Sequence, residues 1–380
     1  MKKILLIALV LVLSVGGAVF AQASVPVFCG DLAQADCDLL TRSQETMQSL
    51  DSAGFGFNVN VMLTNFPDMP DSATINVMGD GAFSGASSIQ TDMTAAEADP
   101  SAAILSVLDN LDFDFTVTVT VPPELMTEVD KNAPNSLTLQ MRLVDGVGYL
   151  NLDTLTDILG DMGDSGFKGW NGIDLAGLLR ALMKQMPDLF SGMTAMGMDS
   201  SAMQPYIEQF SDPEFLSKFM TIEKVDIGMP DETTFRLTLD FSTLMSEPAF
   251  QDMMRQQIEA QGQTMSQAEL DQAMAMSSQM FKDVTFVIDE TIGTEDAHLR
   301  AMHGTFTMDM SAMMAAMESE SGSKAGSSSQ PAPSLALDLT VFYNSFDSVP
   351  PITAPEDATV IPYESLLGMM GSMSGTQQSG

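Results

Sequence analysis

The sequence predicts an α+β protein: a large, strongly curved antiparallel β-sheet with helices laid over its concave apolar face. Three observations predict it. Apolar and polar residues alternate with period two in several segments, an Asp-Gly pair joins two of these as a hairpin, and helical stretches fall between groups of strands.

The alternation is clearest in "FGFNVNVML", where Phe55, Phe57, Val59, Val61 and Leu63 alternate with Gly56, Asn58, Asn60 and Met62. "FDFTVTVTV" places Phe113, Phe115, Val117, Val119 and Val121 on one face and Asp114 and three threonines on the other. The same pattern recurs with Leu137, Leu139, Met141 and Leu143, with Phe235, Leu237, Leu239 and Phe241, and with Leu335, Leu337, Leu339, Val341 and Tyr343. Shorter versions run around Ile75–Met78 and Val284–Ile288, and "GTFTMDM" sets Phe306, Met308 and Met310 on one face. One apolar and one wet face are the mark of antiparallel strands covered on a single side. In "VDGV" (Val144–Val147) the Asp-Gly centre predicts a hairpin between "SLTLQMRL" and "VGYLNL".

Helices are expected where the spacing changes. "DLAQADCDLLTRSQETMQSL" carries Leu39, Leu40, Met47 and Leu50 at helical spacing and leads into the first strand. "DLAGLLRALMKQM" (Asp174–Met186) opens on an Asp N-cap and stops before Pro187. "SSAMQPYIEQF" and "DPEFLSKFM" predict short helical turns before residue 220. Residues 247–280 read as a helical hairpin hinged near Gly262, with "SQAE" as a capping box. The Ser/Gly/Pro-rich stretch 318–334 is expected to be a mobile loop and 366–380 a flexible tail.

The N-terminus sets an expected compartment. "MKK", an apolar run from Ile4 to Phe20 and "AQA" (Ala21–Ala23) form a signal peptide, residues 1–23, with cleavage expected after Ala23 or next after Ala21. The alternative is a retained anchor, for which the run falls slightly short of a full span. The chain is thus expected to cross the cytoplasmic membrane and act as a secreted, periplasmic or cell-surface protein. Phe28 before Cys29 is the wrong neighbour for lipidation. Cys29 and Cys37, an even pair in an exported chain, are expected to form a disulfide.

Charge excludes a class of partner. Without the signal peptide 13 basic residues face 51 acidic ones, a net of −38. No basic surface for nucleic acid is readily built from that, and docking on anionic headgroups is disfavoured. With 45% hydrophobic residues the chain still has the makings of a large core.

Catalytic chemistry finds little footing. His298 and His303 are the only histidines, and on a strand their odd spacing puts them on opposite faces. The acids Asp161 and Asp164 fall short of an EF-hand spacing. No enzyme, cofactor or metal is expected. The 33 methionines leave two functional readings open, beside plain filling of the core. Thioethers fit a lid that adapts to varied apolar ligands, and they also select soft ions such as Cu(I) or Ag(I). The few His and the paired Cys weigh against the second, and so does "TMDMSAMMAAMESE". There Met308 and Met310 belong to a strand face, while Met313, Met314 and Met317 follow it. Trp170 in "KGWNGID" either stacks on a ligand at a cavity mouth or anchors the core ahead of the helix near Asp174.

The words "MQSLDSAGFGFNVNV", "GVGYLNL" followed by "FKGWNGIDLAGLL", and the close "LTVFYNSFDSVPPITAPEDATVIP" occur in an order that resembles the LppX/LprAFG lipoproteins and, more distantly, the lipoprotein carriers LolA and LolB. The resemblance spans about residues 36–362. It implies a half-open β-barrel, one domain over 24–365, curled round a cavity for acyl chains of envelope lipids or lipoproteins. Two departures stand out: no lipobox cysteine, and helical insertions at about 174–220 and 242–280. The expected function is that of a monomeric, non-catalytic carrier or binder of hydrophobic ligands. The expected lining comprises the apolar-face residues Phe55, Phe57, Val59, Phe113, Phe115, Val117, Leu137, Leu139, Met141, Phe235, Leu237, Leu239, Phe306, Met308, Met310, Leu337 and Leu339, with Trp170. The alternatives are an envelope structural or interaction protein with a closed core, or a soft-metal buffer.

Overall fold

A computed structural model describes residues 27–66, 70–88, 100–123, 135–153, 168–185, 212–260, 281, 284–310 and 333–365. The signal segment 1–23, the tail 366–380, the capping box near Gly262, Asp161 and Asp164, Met313, Met314 and Met317 lie outside these residues. So does all but the end of the 318–334 loop.

The chain enters through helix α1 (Gln34–Ser49), then strands β1 (Ser52–Thr64) and β2 (Ser72–Ser84), helix α2 (Pro100–Asn110), and strands β3 (Asp112–Thr120), β4 (Ser136–Val144), β5 (Val147–Asn151) and β6 (Trp170–Asp174). Helices α3 (Leu175–Gln185) and α4 (Pro213–Leu216) lead to β7 (Met220–Val225) and β8 (Glu232–Asp240). Helices α5 (Phe241–Ser246) and α6 (Pro248–Ala260) precede β9 (Thr285–Gly293), β10 (Leu299–Asp309), β11 (Ser334–Asn344) and β12 (Thr359–Ile361).

The twelve strands among the described residues form one open sheet in the order β12-β6-β5-β4-β3-β2-β1-β11-β10-β9-β8-β7. Every neighbouring pair is antiparallel except β12 with β6. The α+β class read from the alternation is what the chain forms. The β4–β5 hairpin turns on Asp145 (φ 50°) and Gly146 (φ 77°), the pair of positive φ values that a tight hairpin turn requires. Asp174 caps α3 by accepting a hydrogen bond from the Gly177 N–H at 2.7 Å.

Register lays the apolar side chains in rows across the sheet, because directly opposed residues share a face. Phe57 faces Gly79 on β2 and Val341 on β11; Val341 faces Met302, Met302 faces Glu290, and Glu290 faces Phe235. The next row runs Val59, Leu339, Gly304, Ile288, Leu237 and Ile222. The one after that runs Val61, Leu337, Phe306, Phe286, Leu239 and Met220.

Helices seal one end of this face. Met47 and the residue after α1, Leu50, pack with Phe55, Phe57, Phe83 and Phe115, joined by Val107 of α2. Leu39 and Leu40 of α1 cover Phe235 and Ile292. Phe28, with Phe215 and Leu216 of α4, Leu244 of α5 and Phe250 of α6, forms a third cluster over β7 and β8. The Cys29–Cys37 disulfide ties Phe28 to the first turns of α1.

Candidate functional site

The seventeen apolar lining candidates other than Trp170 fall on the face that carries these rows, and burial divides them. Phe55, Phe57, Val59, Phe115, Val117 and Phe235 are buried and form a packed floor. Phe113, Leu137, Leu139, Met141, Leu237, Leu239, Phe306, Met308, Leu337 and Leu339 remain half-buried, as does Met310 just beyond β10. The rows under α1 are closed; beyond it Leu237 and Leu239 pack against the α4–α6 cluster, Phe241 sets its ring edge-on to Phe286 and Phe306, and the remaining rows form a band of half-buried apolar surface.

The floor is built from rings lying over glycines. A Cβ at Gly79 would stand 2.7 Å from the Phe57 ring, and one at Gly81 would stand 2.9 Å from the Phe55 ring and 2.3 Å from the Asp114 carbonyl oxygen. The missing side chains let Phe55, Phe57, Phe113 and Phe115 stack with ring centroids 5.5–6.0 Å apart. Gly304 is different. It is buried, and among the described residues a Cβ there would meet no atom nearer than the Val287 carbonyl oxygen at 4.0 Å.

One acid interrupts the face. Glu290 stands between Met302 and Phe235, and no hydrogen bond or ion pair joins it to another described residue. Burial pushes its carboxyl above the ordinary glutamate range. Tyr343, on the same face of β11, has its hydroxyl pushed up by burial and then by the Glu290 charge. The nearest cation along that row, Lys224 opposite Phe235, is already held by Asp36 of α1 at 2.7 Å. The sequence reading missed Glu290, although the signal was present: it takes the same period-two phase as Phe286, Ile288 and Ile292.

Trp170 corrects the expected lining. It pairs with Asn151, whose amide donates to Gln140, and so stands on the opposite, polar face, half-buried beneath the Arg142 guanidinium at 5.3 Å. There it lines a cleft of about 290 Å³ with Asp80, Asp114, Thr116 and Gln140, too polar for an acyl chain. On the same face Arg236 forks onto Asp289 with two bonds of 2.8 Å, which hold that carboxyl below its ordinary value. His303 meets Asp338 at 3.0 Å on that face, while His298, before β10, stacks on Phe346. The two histidines share no partner. Among the described residues no group of three or more His, Cys, Asp or Glu is placed to hold a metal ion.

No protein-family model matches the chain, and no curated protein does. Among solved structures it is similar to LprF from Mycobacterium bovis, at 10% identity and a TM-score of 0.26, covering 87% of this chain and 100% of that one. It is also similar to lipovitellin, in a structure of lipid–protein interactions, at 6% identity and a TM-score of 0.27, covering 80% of this chain and 26% of that one. LprF is one of the LppX/LprAFG lipoproteins that the chain's sequence words resemble. With TM-scores this low the likenesses decide nothing about the site, which rests on the chain's own geometry.

Proposed function

We propose that the protein is an exported, non-catalytic carrier or binder of hydrophobic ligands, which lie along the half-buried apolar rows of the sheet. One observation carries this reading: a band of half-buried apolar side chains on β3, β4, β10 and β11, beside rows that the helices seal. A core closed over them would bury these side chains. Water removed from such a band by an alkyl chain contributes about 25 cal/mol per Å². Envelope lipids and lipoprotein acyl chains are the ligand classes that fit an exported chain, and the strongly acidic surface keeps nucleic acid and anionic membrane surfaces away. The methionines on this face, Met141, Met220, Met302 and Met308, give the band adaptable walls and stand on three strands, β4, β7 and β10.

The test is mass spectrometry of organic extracts from natively purified protein, with displacement of a fluorescent fatty acid from the delipidated chain. Co-purified lipid and micromolar displacement are the expected results. A clean extract together with no displacement would leave the closed-core alternative standing.

A further inference from the structure

We propose that the polar face of the sheet binds a short, uncharged oligosaccharide along the register row that runs from Phe342 to Trp170. This site lies on the side opposite the apolar rows, so it goes beyond the carrier reading and stands whether or not lipid binds.

Register builds the row. Phe342 on β11 is opposite Gly56 on β1, Gly56 opposite Asp80 on β2, Asp80 opposite Thr116 on β3, and Thr116 opposite Gln140 on β4. Asn151 donates its amide to Gln140 and pairs with Trp170 on β6. Directly opposed residues share a face. An aromatic residue therefore stands at each end, with a carboxylate, a hydroxyl and an amide between. From β11 to β4 the row crosses four strand spacings, roughly 19 Å, which is longer than one sugar ring.

The two aromatic residues sit where no core claims them. Phe342 is 45% exposed, and its ring lies over Gly56, where a Cβ would run into it. The missing side chain makes room for the ring above β1 and leaves nearly half of the residue to solvent. Trp170, the chain's only tryptophan, is half-buried in the cleft of about 290 Å³ with the Arg142 guanidinium over its ring. That volume stands near the lower end for small-molecule sites. It takes one sugar unit, with the rest of the glycan lying toward Phe342.

The polar groups decide the ligand class. Asp80 is exposed, and no hydrogen bond or ion pair joins it to another described residue. Asp114, by contrast, is committed to Arg142 at 3.0 Å. The Gln140 side-chain carbonyl accepts from Asn151, which leaves its NH₂ to donate. Thr116 supplies a hydroxyl that can do either. Sugar hydroxyls both donate and accept, so they use all three groups at once, and on Asp80 the bond is charge-assisted. The C–H face of a sugar ring suits an aromatic face, which carries the negative side of the ring quadrupole. Acidic sugars are repelled by Asp80 and by a net charge of −36. A simple cation would use Asp80 alone and would meet the Arg142 guanidinium in the cleft.

The experiment follows Trp170 emission while the full chain is titrated with maltotetraose, cellotetraose and mannotetraose, with calorimetry alongside. Tetragalacturonate and spermidine serve as the acidic and cationic counterparts. At least one neutral tetrasaccharide is expected to give a saturable shift, and the two charged probes none. Phe342→Ala should weaken that binding about tenfold, the upper scale of one aromatic contact. Asp80→Asn should weaken it about fivefold, the difference between a charge-assisted and a neutral hydrogen bond. Met62→Ala, exposed on the same face outside the row, should leave it unchanged. Asp80→Asn removes no described partner, so it decides the matter if Phe342→Ala fails to fold. No saturable response to any neutral tetrasaccharide, full affinity in D80N, or a response to spermidine or tetragalacturonate in place of the neutral sugars overturns the site. None of these outcomes bears on the lipid extraction, so the apolar-face reading stands or falls separately.

Discussion

Glu290 governs a titration of the fold itself. Its carboxyl is raised above the ordinary value of 4.5, so below that pH it is protonated in both folded and unfolded chains. As pH rises past 4.5 the unfolded chain releases its proton first. Stability then falls until the pH passes the folded value and stays level after that. Glu290→Gln removes this loss: thermal melts should coincide with wild type near pH 4 and lie progressively higher through neutral pH. A variant that melts lower at pH 8 than wild type would contradict the sign. Asp289 behaves oppositely, its stabilisation by Arg236 being present above 3.8 and lost as pH falls through its lowered value. The glycine floor gives a second prediction. Gly81→Ala places a methyl against the Asp114 carbonyl and the Phe55 ring, neither of which can yield without disturbing β3 or the ring stack. It should cost about 1–3 kcal/mol in urea unfolding, whereas Gly304→Ala, whose methyl would meet no described atom nearer than 4.0 Å, should cost less.

Helix α1 is the element that decides which rows are sealed. Leu39 and Leu40 close the β8–β9 end, and Met47 with Leu50 closes the β1–β3 end. Leu40→Ala should cost about 2–5 kcal/mol in the folded protein and should widen the open part of the face, read as faster amide exchange in β8 and β9 relative to β3 and β4. Elements of this kind were legible in the sequence. Helix α1, the long strands β1, β3, β4, β8 and β11, and the β4–β5 hairpin all carry enough periodic positions to declare a face. The misses were short or mixed in composition. Strand β6 has five residues with Gly172 at its centre, and β12 has three residues pairing in parallel after a Pro-rich stretch. Strand β7, "MTIEKV", lies at the sheet's edge, where half its residues face solvent and alternate weakly. Helix α2 (Pro100–Asn110) went unread because its apolar positions merge with the strand that follows at Asp112. For the site, period two assigned seventeen side chains to one face. It could not say which of them α1 buries, nor that Trp170 takes the other face, because both depend on contacts between elements distant in sequence.

At the scale of the whole molecule, 51 acids against 15 bases make the folded state repel itself. Ion pairs relieve little of this: those among the described residues sit at the surface, where such pairs contribute about 0–1 kcal/mol each. Unfolding spreads the charges apart, so screening should favour the compact chain. Moving from 0.01 M to 1 M salt shortens the Debye length from about 30 Å to about 3 Å, and the melting temperature should rise by several degrees over that range. Sodium chloride is the salt to use, since sulfate would also strengthen apolar burial and confound the reading. A melting temperature that falls with sodium chloride would mean that the acids are balanced locally and that the net charge does not act as one field.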